Sequence, residues 1–332
     1  MSNTPIFITQ SSSQSNLTGS ASANTINEIT QGLLAPAASI APKYFYDLLG
    51  SKLFEAITLT GEYYPTRTEA AIFQAYNGGI AQAIVNSGIQ QACLIDLGAG
   101  NCAKAAALIP HLKPSQYVPI DISVDFLRDA ASQVQASFPE LNIVSLGMDF
   151  SSTLALPDTV QSRNRVFFYP GSSLGNFTPS DALRFLQQIA SADQGNASGL
   201  LLGIDLVKDS AVLEAAYDDA AGVTSAFNKN MLLHINALLG SDFNLRQWQH
   251  VALFDAQESR IEMHLQALGD TTVRWPGHER SFQSGDRIHT ENSYKYTTEG
   301  ISELLKQAGF NQVQHWADPK SWFGVFWASK TS

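Results

Sequence analysis

The sequence predicts an α/β fold: a mostly parallel sheet with helices on both faces, interrupted by an inserted α+β segment before the chain returns to the sheet. Three observations predict it. Between residues 92 and 207, short apolar runs alternate with segments of helical spacing, the pattern of strand–helix–strand units. The first run, Leu94-Ile95-Asp96-Leu97, breaks into Gly98-Ala99-Gly100-Asn101 and passes at once into helix-forming Ala103-Lys104-Ala105-Ala106-Ala107-Leu108. Beyond residue 207 the alternation is lost, and it resumes only near the C-terminus.

The elements follow in order. Residues 1–27 are rich in Ser, Thr, Asn and Gln, and read as a disordered or loosely attached tail. With its first basic residue at Lys43, this start resembles neither a signal peptide nor a transit peptide. An aromatic-rich stretch from Pro42 to Phe54 precedes a helix expected over 70–86, for which Thr66 and Glu69 have capping-box spacing. Strands are expected at 92–97, 117–122, 142–146, 165–169 and 199–207, and helices at 103–112, 124–137 and 179–192. The last helix opens with Thr178-Pro179, a cap followed by proline in the first turn. Residues 210–239 read as two helices ending at Gly240. In the next strand Ile261, Met263, Leu265 and Ala267 share one face, and Glu262, His264 and Gln266 the other. Extended character continues over 287–296. A final helix carries Ile301, Leu304, Leu305 and Ala308 and stops at Gly309, and strands near 313–316 and 323–328 close the chain.

Composition bounds the function. The 332 residues can bury a sizeable core; 44% are hydrophobic and 15% charged, as in an ordinary globular protein. A formal charge of −10 argues against a nucleic-acid partner, which needs a basic face. No apolar stretch approaches a membrane span, so no membrane partner is expected and a cytoplasmic location is the default. Cys93 and Cys102 fit a reducing compartment, and the seven histidines show no paired ligand spacing, so no metal is expected.

The glycine turn carries the chemistry. Gly98 and Gly100 let backbone approach a ligand where a Cβ would clash. The next strand ends in Asp121, one βα unit later, where an acid would meet a ribose hydroxyl pair. This is the plan of a nucleoside-cofactor site. A dinucleotide oxidoreductase fits the G-x-G-x-x-A spacing, but the acid Asp96 before the first glycine and the closing helix and strand pair favour S-adenosylmethionine (SAM). A serine hydrolase is a second alternative, since Gly171-Ser172-Ser173-Leu174-Gly175 fits G-x-S-x-G around Ser173, with Asp205 as its acid. Against it, Asn176-Phe177-Thr178-Pro179 delays the helix that a nucleophile elbow requires.

Four further segments are specific. They are Tyr46-Asp47 with Gly50-Ser51 and Leu53-Phe54; Glu62-Tyr63-Tyr64-Pro65-Thr66-Arg67-Thr68-Glu69; Phe168-Tyr169-Pro170-Gly171-Ser172-Ser173-Leu174-Gly175-Asn176; and Tyr217-Asp218-Asp219-Ala220-Ala221-Gly222-Val223-Thr224, continuing into Phe227-Asn228-Lys229-Asn230. Through them the chain, from about Pro42 to its end, resembles the histidine Nα-methyltransferases of the ergothioneine pathway, which trimethylate the amino group of L-histidine. The resemblance implies a Rossmann-like SAM-dependent methyltransferase sheet (68–207 and 296–332) with an inserted α+β substrate domain (28–67 and 208–295). A monomer acting on a small molecule is expected.

It also implies residue roles. Gly98 and Gly100 would lie against the methionine and sugar of the cofactor, Lys104 near its carboxylate, Asp121 on the ribose, and Asp149 and Phe150 at the adenine. Tyr63, Asn176, Tyr217, Met263, Glu291 and Ser293 would bind histidine. Asn176 and Tyr217 would hold its carboxylate through neutral donors. Glu291 and Ser293, two apart in an extended segment, would emerge on one face and grip both imidazole nitrogens. Tyr46 and Phe54 would face the amine, where aromatic rings stabilise a methylammonium cation, and the Gly171 carbonyl would accept its N–H. For Met263, Tyr46 and Phe54, plain core packing is the alternative. A relative acting on a prenylated tryptophan would need a different side-chain pocket, and a binding protein without turnover would not need these substrate residues.

Overall fold

The computed structural model describes residues 3–9, 22–150, 154–192 and 197–330. In chain order the elements are β1 (Ile6–Thr9), α1 (Ala23–Leu34), α2 (Leu48–Ile57), α3 (Tyr64–Asn86), β2 (Cys93–Leu97), α4 (Ala103–Leu112), β3 (Gln116–Asp121), α5 (Val124–Ser137), β4 (Asn142–Gly147), β5 (Arg165–Tyr169), α6 (Pro179–Ser191) and β6 (Ser198–Asp205). There follow α7 (Ser210–Tyr217), α8 (Val223–Leu239), β7 (Trp248–Asp255), β8 (Arg260–Ala267), β9 (Thr271–Trp275), β10 (His278–Phe282), β11 (Arg287–Tyr294), α9 (Thr298–Gln307), β12 (Gln312–Ala317) and β13 (Phe323–Ser329). They form two compact units. The first comprises Met1–Ser13, Pro65–Val207 and Tyr294–Ser332, and the second Gln14–Tyr64 and Lys208–Ser293.

The first unit is built on an eight-stranded sheet of order β1-β4-β3-β2-β5-β6-β13-β12. Strands β1 to β6 run parallel; β13 inserts antiparallel between β6 and β12. The central strands are buried from end to end, as covered parallel strands must be. Alternation then sorts them. Cys93, Ile95 and Leu97 of β2 pack with Phe185, Ile189, Ile301 and Leu305 of α6 and α9. Leu94 turns to the other face, with Ile80 and Ile84 of α3 and Leu108 of α4. Asp96 shares that second face by period, which brings a carboxylate into an apolar layer. Strand β2 pairs with both β3 and β5, so the strand order reverses there, and the loops leaving β2 and β5 flank the reversal. Ligands of open α/β sheets bind at such a point.

Two expectations are corrected. Of residues 1–27, read as a tail, 1–2 and 10–21 lie outside the described residues, but Ile6–Thr9 adds a parallel edge strand to β4, with Ile6 opposite Val144, and α1 begins at Ala23. Its apolar, β-branched run Ile6-Phe7-Ile8 suits a strand, and polar neighbours hid it. Helix α3 begins at Tyr64 rather than residue 70. Pro65 falls in its first turn, where the missing N–H is no loss, so Thr66 and Glu69 form no capping box.

The second unit holds a three-stranded sheet of order β11-β8-β7, a β9–β10 hairpin and helices α1, α2, α7 and α8. Asp47 caps α2 through the Gly50 N–H (2.6 Å) and accepts from Asn230 of α8 (2.8 Å). Gly50 is required there, since a Cβ would overlap the Phe45 carbonyl oxygen. Asp219 accepts the Val223 and Thr224 N–H groups that open α8 (3.0 and 2.7 Å). Among the described residues, no helix is long and apolar enough to cross a membrane.

Candidate active site

In the first unit the sheet presents a cradle beyond β2. Gly98 and Gly100 take φ of 70° and 52°, the left-handed region that suits glycine. Gly98 and Ala99 donate N–H bonds to the Ile120 carbonyl (2.9 and 3.0 Å), which folds the turn over the end of β3. Asp121, at that end, accepts the Gly100 N–H (2.9 Å) on one oxygen and the Ser123 N–H (2.9 Å) on the other. Burial raises its carboxyl pKa, and these amides pull it back. Each oxygen keeps a lone pair for a ligand hydroxyl. Phe150 approaches the position a Gly98 Cβ would occupy to 3.8 Å, and its ring packs on Tyr169 and Phe185 at 5.9 Å each. Asp149 and Phe150 are half-buried. Glycine backbone, an acceptor for two hydroxyls and an aromatic face fit a nucleoside cofactor.

Lys104, in the first turn of α4, is held by Glu69, whose spacing from Thr66 predicts only a capping role. Its ammonium lies 2.6 Å from Glu69 Oε2. Glu69 is 1% exposed, and its Oε1 accepts the Gly171 N–H at 2.8 Å. Asp96 is the other acid missed as a chemical group. Burial pushes its carboxyl up to about 7, while the Tyr117 hydroxyl, donating at 2.8 Å, and the Lys104 charge pull it down.

The loop after β5 is strained and tied down. Ser172 holds φ of 62°, unusual for a residue with a Cβ and a conformation that concentrates at functional sites. Its Oγ accepts the Asp205 N–H (3.0 Å). Gly175 packs so closely on the Tyr294 backbone that a Cβ would lie 2.8 Å from the Tyr294 oxygen. Asn176, half-buried, ends the short helical turn Ser173–Asn176. This geometry does not make a hydrolase. Ser173 donates its hydroxyl to the Pro170 carbonyl (3.2 Å), α6 starts only at Pro179, and Asp205 is paired with Lys295 (2.8 Å), both side chains wholly buried.

The second unit gathers Tyr46, Phe54, Tyr63 and Tyr217 into one aromatic chain. Successive ring centroids are 5.9, 6.2 and 6.3 Å apart, each pair edge-on. Phe227 of α8, which lies in one of the sequence motifs but has no role predicted from it, joins the chain 5.9 Å from Tyr46 and 6.0 Å from Phe54. Tyr217 and Ser293 share a hydroxyl hydrogen bond of 2.7 Å. Glu291 and Ser293, on β11, are buried at 7% and 2% exposure. Met263 is buried on the neighbouring β8, and its carbonyl accepts the Thr290 hydroxyl (3.0 Å). His250 donates Nε2–H to the Tyr217 carbonyl (2.8 Å) and accepts from Asn228 at Nδ1 (2.8 Å). Burial lowers its pKa, and the ring anchors the Tyr217 backbone. Nothing in the spacing of His250 and Asn228 singled them out.

So Gly98, Gly100, Lys104, Asp121, Asp149, Phe150, Gly171 and Asn176 lie in the first unit, and Tyr46, Phe54, Tyr63, Tyr217, Met263, Glu291 and Ser293 in the second. Among the described residues there is no group of three or more His, Cys, Asp or Glu able to hold a metal ion.

Comparison with known proteins gives a consistent result. Residues 25–330 match a family described as histidine-specific, SAM-dependent methyltransferase. The chain is 39% identical over 304 residues to the histidine N-alpha-methyltransferase of Mycolicibacterium smegmatis, covering 90% of this chain and 92% of that one. It is 36% identical to the protein of that description from Mycobacterium tuberculosis, covering 91% and 94%. It is 30% identical to ergothioneine biosynthesis protein 1 of Neurospora crassa, over 82% of this chain and 31% of that longer protein.

Proposed function

The chain belongs to the histidine-specific, SAM-dependent methyltransferase family, and from that premise we propose that it transfers three methyl groups to the α-amino nitrogen of L-histidine, giving hercynine, the first step of ergothioneine biosynthesis. SAM, when bound, supplies an electrophilic methyl on a sulfonium. Gly98, Gly100, Asp121, Asp149 and Phe150 would hold it, with Lys104 at its carboxylate. The first unit is then the cofactor domain, and the second carries most of the amino-acid site.

The observation that carries the substrate reading is the buried polar set on β11. A carboxylate at 7% exposure is expensive to keep in a pocket for an apolar side chain, and useful in one for imidazole. Glu291 accepts one ring N–H, and Ser293, donating its hydroxyl to Tyr217 at 2.7 Å, offers its oxygen as acceptor to an N–H on the other nitrogen. Asn176 and Tyr217 bind the substrate carboxylate through neutral donors, so no added charge acts on the sulfonium. The reaction moves positive charge from sulfur to nitrogen, and positioning and electrostatics are its catalysis. Tyr46 and Phe54 stabilise the ammonium that develops. The Gly171 carbonyl accepts an amine N–H and orients the lone pair. Aromatic walls favour the more methylated amine, so intermediates are carried to the trimethylated product.

The test is a panel of the twenty amino acids, each incubated with SAM and read by mass spectrometry. Histidine is expected to accept methyl groups at least a hundredfold faster than the others. Glu291→Ala is expected to raise KM for histidine by roughly ten- to a hundredfold, the scale of one charge-assisted hydrogen bond. It should weaken histidine far more than it weakens tryptophan. Equal losses on both substrates would remove Glu291 from the imidazole site.

A further inference from the structure

Glu69 has no part in the reading above, yet its carboxylate joins three elements of the first unit. It projects from α3 at 1% exposure, accepts the Gly171 N–H on Oε1 (2.8 Å), and meets Lys104 Nζ with Oε2 (2.6 Å). The fold makes room for it. At Gly203 of β6 a Cβ would overlap Glu69 Oε1 and come within 3.1 Å of the Gly171 nitrogen. At Gly171, with φ of 77°, a Cβ would lie 2.8 Å from Lys104 Nζ. Lys104 stands in the helix that the glycine turn after β2 opens, and Gly171 heads the loop after β5. These are the two loops flanking the reversal of strand order. A buried carboxylate is stable only while both partners stay in place, so it fixes their separation.

We propose that Glu69 is a positioning residue for methyl transfer. It holds the Lys104 ammonium and the Gly171 peptide in one arrangement, so the cofactor-binding turn and the amine-orienting carbonyl keep register. It also pairs the lysine charge while no cofactor carboxylate is there to meet it. This rests on the function proposed above.

The experiment compares the full chain with Glu69→Gln, Lys104→Met and the double variant. Histidine turnover, SAM affinity by calorimetry and thermal melting are read for each. Glu69→Gln is expected to lower kcat/KM for methyl transfer at least tenfold per folded molecule. The double variant is expected to lose no more than Lys104→Met alone, because Glu69 acts through that ammonium. Parental activity in Glu69→Gln, or losses that simply add, would overturn the proposal. So would a lower melting temperature with kcat and the KM for SAM unchanged, the mark of a merely structural acid. Should Glu69→Gln fail to fold, the double variant decides, because it removes both charges at similar volume. Folding with SAM affinity no weaker than that of Lys104→Met alone supports the proposal, and a further loss beyond Lys104→Met, or failure to fold, overturns it. If the parent methylates no histidine, the proposed function fails instead, while the affinity and melting comparisons still measure the coupling of Glu69 and Lys104.

Discussion

Replacing Asp96 by asparagine tests the electrostatics beneath the glycine turn. The substitution keeps the shape and an acceptor for the Tyr117 hydroxyl, which donates to Asp96 at 2.8 Å, but removes the charge. Burial pushes the folded-state carboxyl from an ordinary 3.8 up to about 7, against the opposing pull of Tyr117 and then Lys104. Between those two values the folded chain holds a proton that the unfolded chain has released. Stability therefore falls as pH rises through this window and levels off above about pH 8. Linkage gives a penalty of about 2 kcal/mol at pH 5 and about 4 kcal/mol at pH 8 for a shift of this size. Asp96→Asn should then gain on the parent by about 2–3 kcal/mol between pH 5 and pH 8, whatever its pH-independent effect. Urea unfolding of both proteins at pH 5, 6.5 and 8, without cofactor, measures the gap. A gap constant across the three pH values, or one widening toward acid, would refute the reasoning.

Two further predictions concern the loop after β5 and the aromatic chain. Tyr217→Phe loses the 2.7 Å bond to Ser293 and should raise KM for histidine by about five- to twentyfold, roughly 1–1.8 kcal/mol, with little change in melting temperature; an unchanged KM would take the pair out of the substrate site. Gly175→Ala sets a Cβ 2.8 Å from the Tyr294 oxygen and 3.3 Å from its nitrogen, both backbone atoms that cannot rotate away. Equilibrium unfolding should show a loss of about 1–3 kcal/mol, the usual range for overpacking, and a neutral result would mean the loop is free to move.

Much of the fold was legible because the strand signals are local. The run 93–97 is apolar but for Asp96, short and stopped by glycines, and helix α8 ends where Gly240 takes the left-handed conformation. The paired helices 210–217 and 223–239, and the period-two pattern of β8, were read for the same reason. What failed was context. Glu69 sits three residues after Thr66, which is capping-box spacing, but the helix had already begun at Tyr64 and the side chain turns inward to Lys104. No spacing rule links residue 69 to 104 or 171. The short strand Ile6–Thr9 was lost among polar neighbours, and its pairing with β4 is non-local. In the candidate site, the glycine turn and Asp121 follow from βα geometry alone. The aromatic residues and Glu291 were reached through family motifs, since an isolated aromatic or strand acid has ordinary structural uses. Phe227, His250 and Asn228 become visible only when α8, β7 and the end of α7 are packed together.

The most direct test of the account is the product itself. Histidine is incubated with SAM carrying isotopically labelled methyl groups, and the product is read by mass and by nitrogen-correlated NMR. The account predicts three labelled methyls, all on the α-nitrogen, with mono- and dimethyl species only transient. Label on an imidazole nitrogen, a product that stops at one methyl, or no transfer to histidine at all would contradict it.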